Sequence, residues 1–67
     1  MTWSDRDEAR RQCDRAIGNL DKALAHMGWL RSHYGDRGHP NARAVEDISV
    51  DILWLQERIQ TFKRERV

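Results

Sequence analysis

The stretch that decides the fold is residues 45–62, which read VEDISVDILWLQERIQTF. Its core apolar residues alternate spacings of three and four, the rhythm of one face of an α-helix. They fill both core positions of a heptad repeat: Val45, Ile52 and Ile59 take one, and Ile48, Leu55 and Phe62 take the other. The pattern predicts a helix over about 41–66, and the cationic residues near its end suit a helix C-terminus.

A second helical stripe lies upstream, in residues 9–34. Its central residues recur every seven positions: Cys13, Leu20, Met27 and Tyr34. Ser4, followed three residues later by Asp7, is typical of a capping box with Asp in place of Glu. The pattern predicts a first helix over about 4–34.

Residues 35–40, GDRGHP, separate the two stripes and hold two of the four glycines and the single proline. Gly35 suits the C-cap of the first helix, and Pro40 suits the first turn of the second. A loop this short requires the helices to run antiparallel. The sequence therefore predicts an all-α antiparallel hairpin formed by one domain, residues 1–67.

The size of the chain favours self-association. A compact chain of 67 residues buries only about 60% of its surface, which is marginal for a lone domain. Cys13 is the single cysteine, so no internal disulfide adds support, and we expect it to be a small buried residue and not a nucleophile. We expect the hairpin to dimerise into a four-helix bundle.

Large apolar residues also lie off the two stripes. Val50, Leu53 and Trp54 fall near one another on a helical wheel and away from the Ile52–Ile59 line. Trp29 lies off the first stripe, and Trp3 precedes it. We predict that these five residues form a protein interface, since tryptophan is enriched at binding hot spots. Burial in a homo-oligomer is the favoured interpretation, and binding to a different protein is the alternative.

The cations suggest a second function. Twelve basic residues oppose eleven acidic ones, a balance that disfavours a general nucleic-acid binder. An antiparallel hairpin nevertheless gathers arginines at one end, and a dimer there would contact RNA phosphates. The candidate contacts are Arg6, Arg10, Arg11, Arg15, Arg58 and Arg64. In length and architecture such a dimer is similar to the plasmid RNA-binding regulators that form four-helix bundles.

A third, least favoured function follows from another resemblance. Val45, Ser49, Ile52 and Leu55 fall in a rhythm that resembles the sporulation family of aspartyl-phosphate phosphatases, which implies a regulator of response regulators. Those hairpins carry a Ser-x-x-x-Asp signature, and Leu53 stands where the Asp belongs. The departure removes the acidic residue on which that chemistry depends.

No other pattern in the chain predicts catalysis, a cofactor or a metal. Its carboxylates are spread along the helices, and the spacing of His33, Asp36 and His39 matches no zinc pattern. No apolar run approaches the roughly 18 residues needed to span a bilayer, and the N-terminus is polar. We therefore expect a non-enzymatic bacterial or phage interaction module in the cytoplasm, or in a virion assembled there.

Overall fold

A computed structural model describes residues 5–67, and over this range the chain is all-helical, as predicted. Helix α1 spans Asp5–Gly35 and helix α2 spans Asn41–Arg66. Acidic residues occupy the first turn of α1 and basic residues the last turn of α2, where each sign complements the helix dipole. The predicted capping residue Ser4 and the candidate contact Trp3 lie outside the described residues.

The contacts between the two helices show an antiparallel arrangement with a constant register. Gln56 Nε2 donates to the Ile17 carbonyl oxygen at 3.1 Å. Four further contacts share one register: Arg10 Nε donates to the Val67 backbone oxygen at 2.6 Å, Lys63 Nζ to Asp14 Oδ1 at 2.6 Å, Gln56 Nε2 to Asp21 Oδ1 at 2.7 Å, and Arg31 pairs with Glu46 at 3.1 Å. Each step forward along α1 is matched by an equal step back along α2. The two helices therefore keep the same residue pairing over most of the length of the hairpin.

The end of α1 differs from the prediction. The amide of His39 donates to the Tyr34 carbonyl and the amide of Gly38 to the Gly35 carbonyl, both at 3.0 Å. This pair of bonds is a Schellman motif, in which the left-handed residue is Gly38, with φ of 61°. The prediction of Gly35 as the capping glycine was wrong, because the backbone continues one tight turn beyond it before reversing.

The start of α2 is closed by His39 and Pro40. The ring nitrogen Nδ1 of His39 accepts a hydrogen bond from the Asn41 amide at 3.0 Å. Pro40 has φ of −58°, a helical value, and its missing N–H leaves no donor unsatisfied at a helix start. The loop histidine thus acts as a cap for one of the free amides of α2.

The core is a single line of contact. Among the described residues only Cys13, Val45 and Ile52 are buried, at 8%, 6% and 9% exposure. Ile48, Leu55 and Phe62, which the heptad pattern also assigns to the closed seam, are 47%, 45% and 51% exposed. That expectation was wrong, because α2 packs on α1 through the side that carries Val45 and Ile52. The second heptad position lies beside this contact and is left about half exposed.

The hairpin is a single layer of two helices. Its Cα atoms extend over 56 × 18 × 10 Å. Neither helix, over the described residues, combines the length and apolar character that crossing a membrane requires. A layer of this thickness leaves both of its broad sides open to contact.

Candidate protein interface

The first candidate surface lies on the side of α2 away from α1, and we call Val50, Leu53 and Trp54 the outer face. These side chains are 51%, 53% and 63% exposed. Together with Glu57 they line a shallow groove of about 270 Å³. Spacings of three and four place them on one side of the helix, so the predicted clustering of these three residues is present.

The edge of the outer face is charged. Arg43 and Asp47 form an ion pair at 4.0 Å, one to two turns before Val50, and Glu57 follows Trp54 by three residues. Both members of the ion pair are largely exposed, so it adds little stability. An apolar centre bounded by charged residues is the usual anatomy of a protein-binding surface.

Trp29 lies apart from the outer face. It is 65% exposed, and its ring stacks on His33, with centroids 5.1 Å apart and an angle of 8° between the planes. His33 meets the edge of Tyr34, and Tyr34 contacts His39, each at 5.1 Å. Trp29 is thus the exposed end of a ring series at the loop end of the hairpin. It does not line the groove of the outer face.

The second candidate surface was not predicted, and we call it the inter-helix groove. It is an open groove of about 590 Å³ between α1 and α2. Its apolar lining consists of Ala9, Cys13 and Ala16 from α1 and Leu55, Ile59 and Phe62 from α2, and Gln12 and Arg58 complete it. The signal that was missed is the pairing of small residues on α1 with large residues on α2.

The candidate RNA-contacting arginines do not form one surface. Arg10 and Arg64 line a polar cleft of about 330 Å³ with Gln60 and Lys63. Arg58 instead lines the inter-helix groove. The remaining candidates, Arg6, Arg11 and Arg15, are exposed on α1.

All three cations of the polar cleft already have partners. Lys63 is bound by Asp14 at 2.6 Å, and Arg10 donates to the backbone oxygen of Val67 at the same distance. Arg64 donates to Thr61 Oγ1 at 3.5 Å. A phosphate group approaching this cleft would compete with those contacts. The electrostatic attraction at this end of the hairpin is weaker than the count of basic residues indicates.

Other chemistry-bearing residues have structural roles. Cys13 is a free thiol, buried as predicted. His39 is occupied as a helix cap, and His33 lies between two aromatic rings. No group of three or more metal-ligating side chains occurs within residues 5–67.

Comparisons with known proteins gave no relative. No family model matches the chain, and no curated protein or solved structure is significantly similar to it.

Proposed function

We propose that the protein is a non-enzymatic protein–protein interaction module, a small bacterial or phage regulatory or adaptor protein of the cytoplasm. It acts by burying the outer face of α2 against another chain, with Trp29 and Trp3 as additional contacts. The observation that carries this proposal is the exposure of Val50, Leu53 and Trp54, at 51%, 53% and 63%, on one side of one helix.

Elementary energetics support the choice of this surface. Burying apolar area stabilises a complex by about 25 cal/mol per Å², before the cost of association is subtracted. Tryptophan offers the largest area and is frequent at binding hot spots. We therefore expect Trp54 to contribute most to affinity, and the charged edge around Asp47 and Glu57 to orient the partner.

Self-association is the second part of the proposal. We propose that two hairpins form a four-helix bundle, as is common for antiparallel helix pairs. The support is the thin core: with three buried residues within 5–67, the hairpin leaves the side chains of Ile48, Leu55 and Phe62 about half exposed. A second layer would cover side chains that one hairpin cannot.

The experiment for partner binding is quantitative affinity capture from the native host with three baits. Wild-type chain and Gln60→Glu should capture the same partner, and Trp54→Glu should lose it. Gln60→Glu is the matched control because it also adds a negative charge to an exposed position of α2. Circular dichroism verifies that each bait remains helical. Equal capture by Trp54→Glu and wild type would contradict the proposal.

A dimeric RNA-binding regulator is the second candidate function. The observation in its favour is the polar cleft of Arg10, Gln60, Lys63 and Arg64. Titration with structured RNA at two salt concentrations tests it, since phosphate contacts weaken steeply as salt rises. No binding at low salt would eliminate this function. A phosphatase-like regulator has the least support, because Leu53 replaces the acidic residue and lies half exposed on the outer face.

A further inference from the structure

We propose that the inter-helix groove is the self-association surface and that its occupant is a second copy of this chain. The two copies are related by a two-fold axis parallel to the helices. In this packing Phe62 lies on the partner's Ala16, and Leu55 lies on the partner's Ala23. The inference rests on the self-association in the proposed function and names its surface and register. It leaves the outer face free for a different protein.

The shape of the groove fits its own counterpart. On the α1 side its lining is small, with Ala9, Cys13 and Ala16, whereas Leu55 and Phe62 on α2 are large and about half exposed. A two-fold interface brings the same patch of each copy together, so the α2 side of one copy meets the α1 side of the other. Large side chains then fill the space above small ones, as dense core packing requires.

The spacing along the helices fits as well. Ala16 and Ala23 are seven residues apart on α1, and Leu55 and Phe62 are seven residues apart on α2. Each interval measures about 10.5 Å along a helix axis. The protruding residues of one copy therefore repeat at the same distance as the gaps of the other.

The register within the hairpin determines which residues of the two copies lie at the same height along the helices. The Asp14–Lys63 contact places Phe62 beside residues 15 and 16 of α1, and the Asp21–Gln56 contact places Leu55 beside residues 22 and 23. A two-fold axis parallel to the helices leaves each residue at its own height. Phe62 therefore meets the partner's Ala16, and Leu55 meets the partner's Ala23.

The hairpin exposes more surface than a compact monomer of its mass. The chain exposes 5365 Å², whereas surface scaling gives about 4,400 Å² for a compact monomer of 7.9 kDa. The difference of about 960 Å² exceeds the roughly 800 Å² that each partner buries in a standard interface. The elongated layer thus exposes, beyond the surface of a compact monomer, about the area that one dimer contact covers.

The charges beside the groove permit a second copy to dock. Gln12, Asn19 and His26 recur every seven residues beside the small stripe of α1, and none carries a formal charge at pH 7. Asp51, Arg58 and Glu65 recur every seven residues beside the large stripe of α2 and alternate in sign. The α2 edge of one copy therefore meets an uncharged α1 edge of the other. These two series bring no like charges together.

The first test is the molar mass of the full chain, measured by light scattering over a range of concentrations. Wild type should have twice the chain mass of 7.9 kDa. The double variant Leu55→Glu/Phe62→Glu should have the mass of one chain, and the matched pair Leu53→Glu/Trp54→Glu should remain dimeric. If Leu53→Glu/Trp54→Glu became monomeric while Leu55→Glu/Phe62→Glu stayed dimeric, the groove assignment would be overturned. A monomeric wild type would overturn self-association itself.

The second test does not depend on the acidic variants remaining folded. In a Cys13→Ala background, chains with Ala16→Cys are mixed with chains carrying Phe62→Cys and oxidised mildly. The mixture should form a disulfide-linked dimer at least several-fold more efficiently than a mixture of Ala16→Cys with Leu55→Cys. In the second mixture the two sites lie one heptad apart, about 10.5 Å along the helix axis. Equal yields in the two mixtures would contradict the register.

The outcomes separate this inference from the partner-binding proposal. Failure of the groove variants to dissociate removes the assignment of the groove, and capture of a partner through Trp54 is unaffected by it. Loss of capture by the groove variants alone would show that the groove receives another protein instead of a second copy, and would overturn the inference.

Discussion

The inter-helix groove and the outer face are both apolar, yet they are exposed for different reasons. The groove spans two helices, and its large residues, Leu55 and Phe62, belong to the heptad repeat. The outer face belongs to α2 alone, and Val50, Leu53 and Trp54 follow no core position of that repeat. Exposure in the groove is thus a consequence of having only two helices, whereas exposure of the outer face has no architectural cause.

The difference indicates two kinds of occupant. For the groove, which the bundle geometry leaves open, we propose a second hairpin as the occupant. For the outer face, which lies outside the bundle pattern, we propose a chain of another kind. The two surfaces lie on different sides of α2, so one hairpin has room for both contacts at once.

The largest expected effect separates the core line from the outer face. Ile52→Ala should lower the free energy of unfolding by about 2–5 kcal/mol, because Ile52 is buried and its truncation leaves a cavity. Leu53→Ala, one residue away, should change it by less than about 1 kcal/mol, because Leu53 is half exposed. Denaturant unfolding at one fixed protein concentration measures both. Similar losses would show that the outer face is buried within the protein's own assembly.

The next effect concerns the floor of the groove. Ala16→Leu fills the space that the partner's Phe62 would occupy, and overpacking of this kind costs about 1–3 kcal/mol. We expect a weaker dimer, by about ten-fold or more in dissociation constant. Ala25→Leu is the control because Ala25 is exposed and does not line the groove. Sedimentation equilibrium gives both constants, and an unchanged constant for Ala16→Leu would argue against the groove as the seam.

A smaller effect concerns the turn that sets the register on which the groove depends. Gly38 has a left-handed backbone, so Gly38→Ala should cost about 1–2 kcal/mol. Gly35→Ala should be neutral or stabilising, because its backbone is helical and no atom lies within 4 Å of an added Cβ. Thermal unfolding compares the two variants. Equal losses would contradict the Schellman assignment.

The smallest effect concerns the cap of α2. His39→Ala removes the acceptor of the Asn41 amide and should cost about 0.5–1 kcal/mol. His26→Ala is the comparison, because His26 is exposed within α1 and caps nothing. Thermal unfolding at neutral pH measures both, and a loss for His39→Ala no greater than for His26→Ala would remove the capping role.

Much of the fold follows from local pattern. The heptads of Val45–Phe62 and Cys13–Tyr34 predict two helices, and the GDRGHP segment predicts the reversal between them. Gly38 was missed because the loop offers two glycines, and only the backbone shows which one is left-handed. A heptad pattern does not specify how many helices pack around an apolar stripe. The sequence therefore could not predict that Leu55 and Phe62 lie beside the contact between α1 and α2 and remain exposed.

The grouping of the candidate interface residues could be predicted only in part, because a helical pattern places residues on one helix and not relative to another. Val50, Leu53 and Trp54 lie off the heptad pattern, and helical periodicity alone puts them together. Its size and chemistry alone group Trp29 with them. Its actual position beside His33 depends on the path of α1, which a helical wheel does not show.

The most direct measurement of the central claim is a dilution series followed by NMR on the isotope-labelled full chain. We predict that on dilution the signals of groove residues such as Ala16, Leu55 and Phe62 change as the dimer dissociates. The indole signals of Trp29 and Trp54 should remain constant over the same range. Indole signals that change on dilution while the groove signals stay constant would contradict the account.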